Sequence, residues 1–334
     1  MCEDRETLMN EVLKRGARVL VTGGAGFIGS HLVEKLVESG GQVTVVDDLS
    51  SGTLENISTV VAKIDFRKEE LGELLQSKSL NLSAFDYIFH LSANAYVPPS
   101  VKDPAYDFNT TLANTFHLLD AMRQVENAPF LIYMSSAAVY GNPQHLPICE
   151  TDVTVPVSPY GVSKLAAERY VEVFCRLYNL NAVTLRLFSA YGPRQRKQVV
   201  YDLLVKLKSS GGTIEVVGDG TQSRDFLYVE DVVRAMLLLA DKGAGTGEVY
   251  NVSSGTAYTI NDLVNTWCEV CGLQPKVNYS GQVRSGDAEK WTADLSRIEK
   301  LGYKAKVNLT DGLKSTLAWY DQCAIPAPVQ KVTK

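Results

Sequence analysis

The chain has 334 residues, 45% hydrophobic and 21% charged, with a formal net charge of −5. That length exceeds the roughly 250–300 residues at which one core stops growing, so two lobes are expected, and the acidic balance argues against a nucleic-acid or anionic-membrane partner. No apolar run approaches the ~18 residues of a membrane span, and the charged N-terminus lacks the apolar stretch of a secretory signal, so the default location is the cytoplasm.

The first elements read as strand, tight turn and helix. Val19-Leu20-Val21 runs into Gly23, Gly24, Gly26 and Gly29, and Ile28, Leu32, Val33, Leu36 and Val37 then recur at helical spacing. Glycines there remove the Cβ atoms that would keep a ligand off the backbone, and the free N–H groups opening the helix suit a pyrophosphate. A second strand, residues 42–47, ends in Asp47, 18 residues after Gly29. A carboxylate at that distance takes adenosine ribose hydroxyls. It would repel a 2′-phosphate, and residues 48–52 hold no Arg or Lys to reverse that, so NAD is favoured over NADP.

Residues 59–64 read as a third strand ending at Asp65 and Phe66; Asp65 would suit an adenine-edge contact, although turn chemistry explains an Asp there equally well. Residues 85–91 read as a fourth strand, ending at Leu91. Residues 104–123 carry apolar side chains at helical spacing, and a fifth strand, 130–134, runs into Ser135 and Ser136. This alternation predicts an α/β fold: a Rossmann-type doubly wound parallel sheet with ligands at the carboxyl ends of its strands, and a smaller α/β C-terminal substrate lobe.

Ser158-Pro159 reads as a helix start, with Ser as N-cap and Pro in the first turn. Tyr160 and Lys164 then fall one turn apart on one face, where an ammonium would stabilise a phenolate and bring Tyr160 toward a useful general base. Among 16 tyrosines this is the only one followed by Lys at the fourth position. Cys268-x-x-Cys271 lies within a helical apolar pattern with no second pair or nearby His, so core thiols are expected and no metal is assigned. The two-lobe reading gives an NAD-binding domain at 16–188 plus about 226–253, a substrate lobe at 189–225 plus 254–322, and terminal extensions at 1–15 and 323–334.

With Thr22-Gly-Gly-Ala-Gly-Phe-Ile-Gly29 and Tyr160-x-x-x-Lys164 in place, the chain resembles an extended short-chain dehydrogenase/reductase. Ser135-Ser-Ala-Ala-Val-Tyr-Gly141, Tyr191-Gly-Pro-Arg-Gln195, Gly218-Asp-Gly-Thr-Gln-Ser-Arg-Asp225 and Arg284-Ser-Gly-Asp287 narrow the resemblance to enzymes acting on nucleotide sugars. It implies that Tyr160 takes a proton from a sugar hydroxyl while hydride passes from C4 to NAD⁺, that Ser136 hydrogen-bonds that hydroxyl, and that Lys164 holds the nicotinamide ribose. It implies NAD contacts at Gly23, Gly26, Phe27, Ile28, Gly29, Asp47, Asp65, Phe66, Leu91, Tyr160 and Lys164. Ser136, Tyr160, Ser189, Arg224, Arg284 and Trp291 would face the nucleotide-diphosphate sugar, a UDP-hexose by preference. Trp291 matches a position that gates space for a 2-N-acetyl group, and its bulk suggests an unacetylated sugar. The resemblance also implies a homodimer through helices 104–123 and 158–178.

The reaction is read by elimination within that resemblance. Dehydratases follow the strand-end Ser/Thr with Asp-Glu, and decarboxylases keep an acid there; this chain has Ala137 and Ala138, which move no protons. NAD-recycling 4-epimerisation remains. The alternatives are another reaction of the same scaffold (4,6-dehydration, decarboxylation, a different epimerisation) or a non-catalytic nucleotide-binding protein. The chain also departs from the family pattern: Ser189 stands in place of Asn, Ser92 in place of Ala, and Thr111-Leu-Ala-Asn-Thr115 in place of Asn-x-x-Gly-Thr.

Overall fold

The computed structural model describes residues 16–94, 96–209, 211–281 and 290–324. Its strands are β1 (Arg18–Thr22), β2 (Gln42–Val46), β3 (Asp65–Arg67), β4 (Tyr87–His90), β5 (Phe130–Ser136), β6 (Ala182–Leu187), β7 (Ser189–Tyr191), β8 (Thr213–Val216), β9 (Ser223–Tyr228), β10 (Thr246–Val252), β11 (Ala257–Thr259) and β12 (Lys276–Tyr279). Strands apolar on both faces need cover on both faces. Seven of them pair in parallel in the order β10-β6-β5-β4-β1-β2-β3. The chain order reverses direction between β1 and β4, and at such a switch point the carboxyl ends of the strands are left as an open crevice.

Two smaller sheets, β11-β9-β7 and β12-β8, stand beyond those carboxyl ends. They share a separate core of Tyr191, Leu204, Phe226, Leu263 and Trp267. Phe27 and Ile28, at the start of the helix Phe27–Glu38, pack against this core and against the core under the parallel sheet. Arg194 ties the two regions again, reaching both Glu34 carboxylate oxygens at 2.7 and 2.8 Å, while His31 meets the Pro193 carbonyl at 3.0 Å. Both partners sit on that first helix, so the glycine turn is held from two sides.

Beneath the carboxyl end of β5 lies a buried ionic network. Arg186 contacts both oxygens of Glu168 at 2.7–3.2 Å, and Ser135 donates to the same carboxylate. Both charged side chains are 2% exposed. Such a pair is worth little against an apolar substitute, but losing one partner strands a charge at a cost of about 3–5 kcal/mol. The network therefore fixes the helix Pro159–Tyr178 against β5 and β6.

One expected element moves. Residues 59–64 are not a strand: Val60 and Lys63 close local turns onto Ile57 and Val60, and Val61–Lys63 is a short 3-10 turn. With those amides satisfied locally, only Asp65–Arg67 remains to pair with β2. The helix expected over 104–123 is interrupted as well. Pro104–Asp107 is α-helical, Phe108–Ala113 widens into a π-helical turn, and Asn114–Met122 resumes the α-helix.

Candidate active site

A cavity of about 980 Å³ opens along the carboxyl ends of the central strands and is walled on the far side by the small sheets. Its floor is the glycine turn. Gly26 caps the helix Phe27–Glu38 with no side-chain hydrogen bond, leaving the first N–H groups open toward the cavity. A Cβ at Gly23 would stand 2.8 Å from the Ser92 nitrogen, and one at Gly29 would collide with the Gly23 carbonyl oxygen. Side chains are excluded there by backbone, not by preference. Gly23, Gly26, Phe27, Ile28, Gly29, Asp47 and Leu91 all line the cavity. The Asp47 carboxylate accepts from the Ala25 and Leu49 amides, each at 2.9 Å, which partly offsets the upward push of burial on its pKa.

The other three chemical residues meet at the cavity's centre. Ser136 ends β5, its hydroxyl accepting from the Ala138 amide at 3.2 Å. Ser158 caps the helix Pro159–Tyr178 as the sequence suggests, accepting from Gly161, and the Ser100 hydroxyl accepts from the Tyr160 amide at 3.1 Å. Gly161 lets that helix start lie against the turn after β5, since a Cβ would stand 2.6 Å from the Ala138 carbonyl oxygen. Lys164 donates to the Met134 carbonyl at 2.7 Å, with its ammonium 5.1 Å from the Tyr133 ring and 5.9 Å from the Tyr160 ring.

Burial acts on both groups. It pushes the Tyr160 phenol up to about 12, and the opposing pull comes from hydrogen bonding with Ser136. The Lys164 ammonium donates one hydrogen bond to the Met134 carbonyl and is itself lowered to about 8 by burial. The spacing of four puts the two residues on one face, with the ammonium 5.9 Å from the Tyr160 ring. His90, wedged between the Thr22 and Thr115 hydroxyls at 2.8 and 3.0 Å, is held neutral by burial, its pKa lowered to about 3.

The family model described as GDP-mannose 4,6 dehydratase matches residues 20–316. The chain belongs to this family. Among its relatives, the UDP-glucose 4-epimerase of Mycolicibacterium smegmatis is 32% identical over 91% of this chain and 98% of its own length. The UDP-glucose 4-epimerase of Thermotoga maritima, solved with UDP-glucose, superposes with a TM-score of 0.84 at 36% identity over 92% of this chain and 99% of that one. The UDP-glucose 4-epimerase of Thermus thermophilus, solved with NAD, gives 0.80 at 33% identity over 91% and 99%. The family is that of the nucleotide-sugar-modifying extended short-chain dehydrogenase/reductases, and its members include NAD-dependent isomerases.

Within this family frame the remaining candidates divide. Ser189, Arg224 and Trp291 line the cavity. The Trp291 ring meets Phe188 edge-on, donates through Nε1 to the Gly141 carbonyl at 3.2 Å and lies 5.5 Å from the Arg224 guanidinium. The neighbouring Asp225, fully buried, gathers the amides of Ser254, Gly255 and Ala293 and so fixes the strand that carries Arg224. Arg284 lies outside the described residues. Asp65 and Phe66 do not line the cavity: Asp65 is exposed and ion-paired to Arg67 at 3.0 Å, and Asp47, Asp48, Glu69 and Glu70 form that wall instead. Ala138 lines the cavity whereas Ala137 is buried in the core, so only one of the two alanines faces the reacting space. Cys268 and Cys271 are half-buried on the helix Ile260–Cys271, packed against the small-sheet core.

Sequence reasoning missed Tyr96, Asn94 and Asp107. Tyr96 lines the mouth with Lys197 5.3 Å from its ring. Asp107 shares its buried face with Thr111, Asn114 and Thr115, so the sequence pattern does not single it out. A raised phenol gives a direct check without any substrate. The ultraviolet titration of the cofactor-free protein minus that of cofactor-free Tyr160→Phe should show no phenolate step below about pH 10; a step near neutrality in the cofactor-free protein would contradict the geometry.

Proposed function

We propose that the chain is an NAD-dependent epimerase that inverts C4 of a nucleotide-diphosphate sugar, a UDP-hexose, through a transient 4-keto sugar. The carrying observation is the convergence of Ser136, Tyr160 and Lys164 beside a side-chain-free glycine cradle, with alanine at the positions where elimination would need an acid and a base. The cradle fits the cofactor: backbone crowding at Gly23 and Gly29 leaves the uncapped helix start open, a ready site for a pyrophosphate. Asp47 would take the adenosine ribose hydroxyls, with Phe27, Ile28 and Leu91 along the chain of the cofactor. NAD bound there would accept a hydride from the sugar's C4 and return it.

The protein's own groups then do the following. Tyr160 removes the proton of the C4 hydroxyl, with Ser136 hydrogen-bonded to the same oxygen. Burial that raises the Tyr160 pKa favours the protonated phenol for the return step, and the Lys164 ammonium together with positively charged NAD, when bound, would favour the ionised phenol for the forward one. Lys164, anchored on Met134, holds the nicotinamide ribose. Arg224 takes the diphosphate, where its forked donors suit two oxygens. Ser189, shorter than Asn, leaves room for the 4-keto sugar to turn over, and Trp291 narrows the space beside C2. A single-pocket mechanism needs this rotation, because the hydride must return to the opposite face.

The helices over 104–122 and 159–178 carry Phe108 (53% exposed), Tyr170 (42%) and Leu177 (62%) around a shallow depression lined by Phe108, Leu112, Ala113, Phe116 and Tyr170. A second copy of the chain is the occupant that covers this face in the proposal. No described helix is long and apolar enough to cross a membrane. The five described thiols are unpaired, which suits a reducing cytoplasm.

Incubation with a panel of UDP-, GDP- and dTDP-linked sugars, read by mass and NMR, tests the reaction. The expected outcome is an isobaric 4-epimer from an unacetylated UDP-hexose, reduced about 10²–10⁴-fold in Tyr160→Phe. Loss of water or carbon dioxide, or full activity in Tyr160→Phe, would sink the reading. Light scattering should give twice the chain mass, falling to one chain mass in Phe108→Asp; a monomeric unaltered protein contradicts the dimer.

A further inference from the structure

Residues 193–198 run from the small sheets across the mouth of the cavity. They leave β7 after Tyr191 and enter the helix Gln198–Ser209, and Arg194, Gln195, Arg196, Lys197 and Gln198 all line the cavity. The backbone turns sharply near both ends of the segment. Arg194 and Gln198 each have a φ of 72°, a left-handed conformation that residues other than glycine keep only where surrounding contacts hold them.

Those contacts stand on both sides of the crevice. Next to β1, the Arg194 guanidinium donates to both Glu34 oxygens at 2.7 and 2.8 Å and to the Ser30 hydroxyl at 3.2 Å. The same Ser30 hydroxyl donates to the Phe27 carbonyl at 3.0 Å, so the guanidinium is tied to the first turn of the helix that opens the cradle. His31 donates to the neighbouring Pro193 carbonyl at 3.0 Å. Beyond β2, Arg196 reaches Glu55 at 3.4 Å. Glu55 belongs to the turn Leu54–Ile57, which is held to the glycine turn where Thr53 and Asn56 donate to the Ala25 carbonyl. On the other side, beyond β4, the Lys197 ammonium lies 5.3 Å from the Tyr96 ring. One short segment thus bridges the switch point whose floor is the glycine turn.

The fastenings are unequal. Arg196 and Glu55 are exposed, so solvent screens that pair and its side chains lose freedom in holding it. Arg194 and Glu34 are only 18% and 20% exposed, and one forked guanidinium meets three oxygens there. Arg194 is the contact that decides whether the segment stays down.

We propose that residues 193–198 are a strap that keeps the cofactor in the crevice between turnovers, and that Arg194 is the positioning residue that fastens it. The strap must lift before a dinucleotide seated on the glycine turn can leave. Such retention suits a reaction in which a hydride taken from the sugar has to be given back. The proposal rests on the NAD reading of the cradle and is independent of which sugar is turned over.

The test is cofactor exchange without sugar. Protein carrying labelled NAD is chased with unlabelled NAD to give the release rate, and cofactor-free protein mixed with NAD gives the association rate. The unaltered chain is compared with Arg194→Ala, Glu34→Gln and the double variant. A loosened strap opens the way in as well as the way out. Arg194→Ala should raise both rates, release by about tenfold, with Kd moving less than either. Glu34→Gln should act in the same direction, and the double variant should add nothing to Arg194→Ala, because both changes break one interaction. Faster release with unchanged association marks a lost direct contact with the cofactor and overturns the strap, as does an unchanged release rate. If Arg194→Ala does not fold, Glu34→Gln decides alone: both rates raised supports the strap, and any other result overturns it. An unaltered protein that binds no NAD would instead remove the cofactor reading beneath it.

Discussion

An ammonium buried at the carboxyl end of a parallel sheet is the constraint around which this molecule is arranged. Lys164 sits 3% exposed against the Met134 carbonyl. Desolvation works against its charge, so the surrounding structure supplies a carbonyl dipole, two aromatic faces and acids. Those supports come from different parts of the chain: β5 gives Met134 and Tyr133, the segment before the π-helical turn gives Asp107, and the lysine's own helix gives Glu168. The charge depends on how these groups are placed. The rigid sheet, the Glu168–Arg186 pair and the hydrogen bond from Asn94 to Asp107 provide that placement.

The same placement explains why fold and chemistry coincide. A switch point between β1 and β4 leaves a crevice, the glycine turn opens its floor, and β5 delivers a serine beside a tyrosine that the next helix presents. From the opposite wall β9 contributes Arg224, and the irregular segment that bridges to it at Ser223–Lys290 contributes Trp291. Arg194 locks their first loop to Glu34 on the glycine-turn helix, so the two walls are coupled through the element that forms the cradle.

The parts legible in the sequence are those whose physics is local. A glycine spacing, a Ser-Pro helix start and a four-residue Tyr–Lys interval each announce a geometry within a few residues, and each is found where the spacing puts it. Burial and long-range pairing are not written locally. The chain at 59–64 looks like a strand because it is β-branched, yet local turns satisfy its amides before the sheet can. Asp65 ends that run, yet it stands exposed beside Arg67 and outside the cavity lining. Spacing alone places Lys164 beside Tyr160, whereas the burial that raises the phenol and lowers the ammonium is not written in it. Asp107 was invisible because its partners lie 13 and 56 residues away.

The central claim is that a hydride leaves C4 and returns to the same carbon from the other face without reaching solvent. Turnover of a nucleotide hexose carrying deuterium at C4, followed by NMR in ordinary water, measures this directly. The predicted product has inverted C4 configuration and retains the deuterium at C4. Washout of the label, or its appearance at another carbon, would contradict it.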